Sequence, residues 1–359
     1  MTLPKNSHIE DLEDLNLYTL VTITPKKWHW RARTSALYIS TRIPRVHNYL
    51  LLFCSSVLPL AELIGLRPDL AKVHKIVFFH ENQLEYPMRS PRTLRDFQYG
   101  YNEILSCLTA NQVMFNTKHN MNTFLNHIPS HLRSQLDYRS RLVTPVFENK
   151  ASVVYYPINV TLMDAALADP NKNMRKELII VWPHRWEYDK NPMAFYSVIR
   201  KLDADGLQFK VCLLGESYSQ KPSIFNSMDA EFKAKRVLHC GFVPDDLDYY
   251  ALLKKADVVV STAIQDYFGV AIMEAVYCGC IPVVPKRLAY KELYAAQVKE
   301  MYSTDQELYY VLRGLCQKKR EGTLLHNYTK VALKHAAETW FGRVLDLIEA
   351  RFTYTRRPI

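Results

Sequence analysis

Two carboxylates eight positions apart, Asp266 and Glu274, bracket an aromatic-glycine turn in the stretch Gln265-Asp266-Tyr267-Phe268-Gly269-Val270. Glycine at 269 lets backbone N–H groups approach an anion closely. A helix expected over Val270 to Tyr277 would then turn its positive N-terminal end toward a diphosphate or sugar hydroxyls. Glu274, about one turn inside that helix, can reach a vicinal diol such as a ribose. Asp266, on the loop before it, can accept from hexose hydroxyls. The chemistry this pattern offers is the grip on a nucleotide sugar. The same spacing also fits an ordinary loop capped by Asp266, with Glu274 turned to solvent.

The flanking elements decide where such a grip would sit. Ala256 to Ala263 is a continuous apolar run with small polar ends, the pattern of a strand buried on both faces of a parallel sheet. Gly279 to Pro285 supplies a helix stop and another short buried strand. The acid pair therefore lies at the carboxyl end of a strand, where open α/β sheets bind ligands. A second such loop, Trp182-Pro183-His184-Arg185-Trp186-Glu187-Tyr188-Asp189-Lys190-Asn191-Pro192, follows the strand Leu178 to Trp182. Arg185, as a planar fork, and Lys190, as a point charge, are suited to converge on a diphosphate leaving group. They also fit a basic loop paired internally with Glu187 and Asp189. Gly215-Glu216 and Gly241-Phe242-Val243-Pro244 follow further strands, so four loops are expected at one ligand-binding edge.

The length of 359 residues suits two domains, and 48% hydrophobic residues suffice for two cores. The formal charge of +10 fits a polyanionic partner or anionic substrates, and equally a solvated basic surface. Seven scattered cysteines, mostly inside apolar runs, predict reduced thiols and a cytosolic or nuclear compartment. Cys278 and Cys280 form a C-x-C without a companion pair, too little for zinc. The most apolar segment, Tyr49 to Ala61, carries Ser55, Ser56 and Pro59 and is too short for a membrane span; with a polar, acidic start to the chain, no membrane association is expected.

The order of patterns predicts an α/β protein of two doubly wound, Rossmann-like parallel-sheet domains facing one another across a cleft. In the first half, strands are expected at Tyr18 to Thr24, Lys75 to Phe79 and Gln112 to Asn116, and helices at Tyr49 to Gly65 and Tyr99 to Cys107. In the second, strands are expected at Leu178 to Trp182, Phe209 to Leu214, Arg236 to His239, Val258 to Ser261 and Ile281 to Val284. The boundaries read as a first domain at 1–163, a linker at 164–176, a second domain at 177–335, and a C-terminal helix with a basic tail at 336–359.

Three segments of the first half carry more specific information. These are Lys26-Lys27-Trp28-His29-Trp30-Arg31-Ala32-Arg33, Phe79-His80-Glu81-Asn82-Gln83-Leu84-Glu85-Tyr86-Pro87, and Arg95-Asp96-Phe97-Gln98-Tyr99-Gly100-Tyr101-Asn102. On these motifs the chain resembles the tRNA-queuosine α-mannosyltransferase family. The second half resembles the donor domain of the retaining GT-B glycosyltransferases of family four. The resemblance implies transfer of mannose from GDP-mannose to queuosine at the wobble position in the anticodon loop of tRNA-Asp, with retention and without a metal or other cofactor. It implies that Arg185 and Lys190 hold the diphosphate beside Gly215, Glu274 the ribose, and Asp266 with the Phe268, Gly269 and Val270 backbone the mannose. His80 would face the donor sugar, as a hydrogen-bonding group and not as a base.

Glu81, Asn82 and Gln83 cluster polar groups at a strand exit, suited to a polyol or a base edge. Trp28, His29, Trp30, Arg31 and Arg33 interleave aromatics with cations, which suits unpaired bases and phosphates, or equally an amphipathic lid. Members of the family begin with a strand and a Gly-Gly-Ser-His loop, which Met1 to Leu17 lacks. The expectation is that the first βα unit is missing or replaced, opening one sheet edge and leaving activity in question. The rival readings are a glycosyltransferase of the same fold acting on a lipid or glycan, and an inactive tRNA-binding protein.

Overall fold

The structure is a computed structural model that describes residues 18–24, 27–85, 96–135, 147, 149–167, 176–215, 228–324 and 328–335. The chain divides between Tyr155 and Tyr156 into two compact units, each built on its own parallel sheet.

In the first unit the sheet runs β1 (Leu51–Ser55), β2 (His74–Phe79), β3 (Gln112–Phe115), β4 (Ala151–Val153), in chain order. All its neighbouring pairs are parallel, with Leu51 opposite His74 and Ile76 opposite Gln112. The inner strands are apolar on both faces because helices cover them. Phe79, Phe115, Phe124 and Phe147 form the aromatic centre of the core, with Phe79 stacked on Phe115 at 4.5 Å between ring centroids. Helices α1 (Trp28–Arg42), α2 (Leu60–Leu66), α3 (Phe97–Thr109) and α4 (Lys118–Leu132) connect and pack on the strands. Asp96 caps α3 by accepting from the Gln98 N–H, and Thr117 caps α4 by accepting from the Asn120 N–H.

Two expectations for this half are corrected. Tyr18 to Thr24 forms no strand. Tyr49 to Gly65 is not one helix: Leu51–Ser55 pairs with β2, and Pro59 then stands at the N-cap of α2. Pro59 has no N–H to give and a fixed φ, so the apolar run is cut into two elements that periodicity alone reads as one. Among the described residues β1 is an edge of the sheet, with Phe53 partly exposed. The expected loss of a first βα unit concerns residues 1–17, and the C-terminal helix and tail concern 336–359; both lie outside the described residues.

The second unit holds helix α5 (Val160–Leu167) and a six-stranded sheet. Its strands are β5 (Leu178–Pro183), β6 (Phe209–Leu214), β7 (Val237–Gly241), β8 (Val258–Val260), β9 (Ile281–Pro285) and β10 (Met301–Tyr302), in the spatial order β10-β9-β8-β5-β6-β7. Chain order runs outward in opposite directions from the β5/β8 pair. That pair is the topological switch point, the place at which open α/β sheets bind ligands. The helices are α6 (Pro192–Ala204), α7 (Ala230–Arg236), α8 (Asp246–Lys255), α9 (Val270–Tyr277), α10 (Leu288–Tyr294), α11 (Asp305–Glu321) and α12 (Thr329–Leu333). Trp182, fully buried, anchors the core against Phe195.

The domain boundary differs from the expected 163/164. Residues 164–167 end helix α5, which packs on α8. The Tyr277 hydroxyl donates to Asp164 at 2.7 Å and Lys254 Nζ to the Leu167 carbonyl at 2.8 Å. These bonds tie the expected start of a linker to the second unit. Residues 168–175 lie outside the described residues.

A buried arginine holds the first unit's connections together. The Arg67 guanidinium donates to the carbonyls of Ser40, Ile43 and Pro44 and pairs with Asp69, joining the end of α1 to the turn after α2. Replacing Arg67 by Leu orphans three carbonyls and a carboxylate. The expected outcome is a loss of about 3 kcal/mol in urea unfolding, with the m-value unchanged.

Candidate functional site

At the switch point of the second unit, the loop after β5 and the loop after β8 are bonded to each other before any ligand arrives. The Asp189 carbonyl accepts from the Ile264 N–H at 2.7 Å, and the Thr262 hydroxyl donates to the Lys190 carbonyl at 2.8 Å. Lys190 Nζ donates to the Gln265 carbonyl at 3.0 Å and lies 3.1 Å from Asp189 and 3.5 Å from Asp266. The lysine is therefore fixed between two carboxylates at the root of both loops. Its placement combines the two expected readings, since it pairs internally with Asp189 while standing beside Asp266.

A buried hydrogen-bonded chain orients Asp266. Tyr290 of α10 donates its hydroxyl proton to Asp266 at 2.8 Å, so its oxygen accepts from Ser261, 2.9 Å away. The Ser261 oxygen in turn accepts from His184 Nε2 at 2.9 Å, which fixes the proton on that ring nitrogen. Burial, aided by the nearby charge of Lys190, pushes the His184 pKa down to about 3, so the ring is neutral. Burial acts to raise the Asp266 carboxyl, yet Lys190, the Tyr290 hydroxyl and the Phe268 N–H together hold it below its ordinary value. Asp266 is thus ionised, aimed by one tyrosine and one backbone N–H. Arg185 is more exposed, and its guanidinium lies 3.3 Å from Glu187.

Two glycines make this packing possible. Gly215 at the end of β6 has φ +119, and a Cβ there would stand 2.1 Å from the His184 carbonyl oxygen. Gly269 has φ +78 at the N-cap of α9, and a Cβ there would stand 2.7 Å from the Tyr290 ring. Both positions demand glycine on conformation and on space. Helix α9 begins at Val270 as expected, and Phe268 behind it is buried, 5.4 Å from the His335 ring.

Glu274 is not turned to solvent. Its two carboxylate oxygens lie 3.3 Å and 3.5 Å from the Tyr249 and Tyr250 hydroxyls of α8. Burial pushes its pKa up to about 7, a rise that the two hydroxyls oppose. His184, Ser261, Tyr249, Tyr250 and Tyr290 escaped the sequence reading. His184 alone lay inside a motif; the others come from elements that carry no ligand-binding signature of their own.

The first unit collects the remaining expected residues. His80 follows β2, with its ring edge-on to Phe78 at 5.0 Å, and burial lowers its pKa to about 4. It is a neutral ring, in keeping with a hydrogen-bonding role. Asn82 is corrected. It is fully buried and donates to the Asn120 side chain at 2.9 Å, while Asn120 donates to Asn116 and Asn116 to the His80 carbonyl. Its amide braces the loop from inside and offers no edge to a ligand. Glu81 accepts from Gln83 Nε2 at 2.9 Å.

Trp28, His29, Trp30, Arg31 and Arg33 all lie on the first turns of α1, a helix that the sequence reading left undefined. Ala32, Ser35 and Ala36 face inward, and Trp30 is 65% exposed. Arg33 pairs with Asp96 and lies over the Tyr99 ring, and Arg31 lies 6.0 Å from the Tyr38 ring. Among the described residues no cluster of histidine, cysteine or acidic groups could hold a metal, and no helix is long and apolar enough to cross a membrane.

Two sheets of this kind and the family match that follows define the chain as a glycosyltransferase of the GT-B class. The model for glycosyl transferases group 1 matches residues 165–302. Solved structures with the same fold include sucrose-phosphate synthase from Thermosynechococcus elongatus (TM-score 0.69, 15% identity, covering 94% of this chain and 82% of that one). Anabaena HepE in complex with UDP is another (TM-score 0.62, 14% identity, 89% and 82% covered). The model for the N-terminal domain of tRNA-queuosine alpha-mannosyltransferase matches residues 7–158. A Drosophila melanogaster protein named tRNA-queuosine alpha-mannosyltransferase is 42% identical over 306 residues, which span 84% of this chain and 80% of that protein. The chain belongs to the tRNA-queuosine alpha-mannosyltransferase family.

Glu274 makes stability depend on pH with a definite sign. A carboxyl raised from an ordinary 4.5 to about 7 stabilises the fold fully below pH 4.5 and loses that contribution as pH rises through 7. Relative to wild type, Glu274→Gln is expected to gain in thermal unfolding midpoint between pH 5 and pH 8, with the gain levelling off above. Gly269→Ala is expected to lower stability by about 1–3 kcal/mol from the left-handed backbone alone, read by denaturant unfolding.

Proposed function

We propose that this chain transfers mannose from GDP-mannose to queuosine in tRNA-Asp, with retention of configuration. The observation that carries the reading is the match to the family's own N-terminal domain over residues 7–158, joined in one chain to a glycosyltransferase domain. The site geometry supplies a mechanism. Arg185 and Lys190, with the start of α9 at Gly269, would neutralise the diphosphate as it departs, which is the main electrostatic demand of glycosyl transfer. Asp266, held ionised and aimed by Tyr290, would accept from mannose hydroxyls. Glu274 would accept from the ribose diol, exchanging tyrosine hydroxyls for sugar ones. Gly215 keeps the β6 exit from intruding on the His184–Arg185 backbone.

The acceptor side rests on the first unit. Trp30, exposed on α1, is suited to stacking on an unpaired base, and the basic charge of +10 suits the tRNA backbone. Glu81 would meet the acceptor hydroxyls, and the neutral His80 would face the donor sugar. All charge stabilisation runs through protein groups, with no metal or cofactor required. The free cysteines, six of them buried, fit a reducing cytosolic or nuclear compartment.

The test is incubation of the purified chain with GDP-mannose and queuosine-containing tRNA-Asp, with mass analysis of the nucleosides. One added hexose on queuosine is expected; its absence from queuosine while another acceptor is glycosylated would sink the reading. Lys190→Ala is expected to lower kcat about 100-fold or more with the fold intact. Arg31→Ala combined with Arg33→Ala is expected to reduce the slope of log affinity for tRNA against log salt by about 1 to 2.

A further inference from the structure

Charge is placed unevenly along the first unit. Between Asp14 and Glu62 the sequence holds six cations, Lys26, Lys27, Arg31, Arg33, Arg42 and Arg45, and no acid. Helix α1 runs through the middle of that stretch. Asp96 answers Arg33, and Asp69, which the Arg67 bonds bring to the end of α1, is taken by Arg67 and His47. Among the described residues no carboxylate pairs with Arg31, Arg42 or Arg45. Arg42 suits the negative end of its helix, but Arg31 and Arg45 have no such role.

One ring holds two of these arginines in place. The Arg31 guanidinium lies 6.0 Å and the Arg42 guanidinium 5.2 Å from the centre of the Tyr38 ring. Arg31 stands about two turns before Tyr38 and Arg42 about one turn after it, so the three form a single stripe along the helix. Stacking on the ring limits the freedom of both guanidiniums before any partner arrives. With no acid between them the two charges repel, and an anion laid along the stripe would relieve that repulsion. Beside the stripe, Trp30 is 65% and Leu37 63% exposed.

The spacing suits a nucleic-acid backbone. Residues 30 and 42 stand about 18 Å apart along the helix, roughly five steps of a strand that rises about 3.4 Å per nucleotide. With Trp30 stacked on an unpaired base of the anticodon loop, Arg42 and the exposed Arg45 reach phosphates some way along the strand, in the paired stem. Double-stranded RNA is bound largely through such backbone contacts. A lipid surface is a poorer fit, because an interfacial helix inserts a whole apolar face and α1 exposes only Trp30 and Leu37 as large apolar groups.

We propose that the Arg31–Tyr38–Arg42 stripe of α1, continued by Arg45, binds the phosphate backbone of the anticodon stem while Trp30 meets the loop. The assignment rests on the tRNA acceptor proposed above. It carries the contact beyond the Trp28 to Arg33 segment and makes the paired stem part of what the chain recognises.

The test combines Arg42→Gln with Arg45→Gln, which removes both charges, and compares it with Arg42→Lys combined with Arg45→Lys, which keeps them. Binding of queuosine-containing tRNA-Asp is measured by filter retention across a range of salt, beside binding of a single-stranded oligonucleotide of the anticodon loop alone. The Gln pair is expected to lower the slope of log affinity for tRNA against log salt by about 1 to 2 and to weaken tRNA binding about tenfold or more, with the loop oligonucleotide unaffected. The Lys pair is expected to restore the slope. A merely structural role would weaken both RNAs and would not follow the charge.

An unchanged slope in the Gln pair, or equal weakening of tRNA and loop oligonucleotide, would overturn the stem contact alone if wild type still adds hexose to queuosine. A wild-type chain that neither binds nor glycosylates that tRNA would overturn the acceptor reading and the stem contact together. Loss of co-sedimentation with phosphatidylserine vesicles in the Gln pair, with the tRNA slope unchanged, would give this face to a lipid surface and overturn the proposal. If the Gln pair does not fold, Tyr38→Leu, which removes the ring that holds both guanidiniums, substitutes for it. A roughly threefold or greater loss of tRNA affinity supports the assignment, and undiminished affinity overturns it.

Discussion

The hydrogen-bonded chain from His184 through Ser261 and Tyr290 to Asp266 is the constraint on which the site of the second unit depends. It has one direction only, because Tyr290 has a single proton and gives it to a carboxylate. That choice fixes the serine rotor and the histidine tautomer behind it. The strands supply its anchor points: His184 follows β5 and Ser261 follows β8, the neighbours at which the sheet reverses its winding. Gly215 and Gly269 are the places where the His184 backbone and the Tyr290 ring, respectively, pass too close for any side chain. Topology, hydrogen bonding and glycine placement are therefore one arrangement, and none of the three is adjustable without the others.

The buried carboxyls of the protein are treated unequally, and the difference separates roles. Asp266 is held ionised by a lysine, a hydroxyl and a backbone N–H. Glu274 has only two tyrosine hydroxyls against its burial, and Glu103 a backbone N–H and a serine. A carboxyl whose charge is answered inside the protein gains less from a new partner than one whose charge is not.

Much of the second unit was legible in its sequence because each element there carries its own local signal. Val270 to Tyr277 is bracketed by Gly269 and Gly279 and formed the expected helix, and the β5, β6 and β8 runs are short, apolar and bounded. The first unit was less legible where one apolar run served two elements. Tyr49 to Gly65 has the length of a helix, and only pairing with β2 makes its first part a strand, which is a tertiary fact. The same limit explains the site. Asp266, Glu274, Arg185 and Lys190 announce themselves by type and spacing, whereas Tyr290, Ser261 and Tyr249 matter because of what folding brings beside them. Asn82 shows the converse: its position in a polar motif suggested a ligand edge, and the fold turned it inward.

The asparagine ladder under the His80 to Gln83 loop has a consequence for how binding energy is spent. Asn82, Asn120 and Asn116 link that loop to the cap of α4 and back to the His80 carbonyl, so the loop's conformational entropy is surrendered during folding. On the acceptor reading proposed above, a molecule docking there would meet a surface already set in shape and would not have to order it. Discrimination between similar molecules would then fall to fit and charge more than to rearrangement of the loop, as a cut lock selects its key.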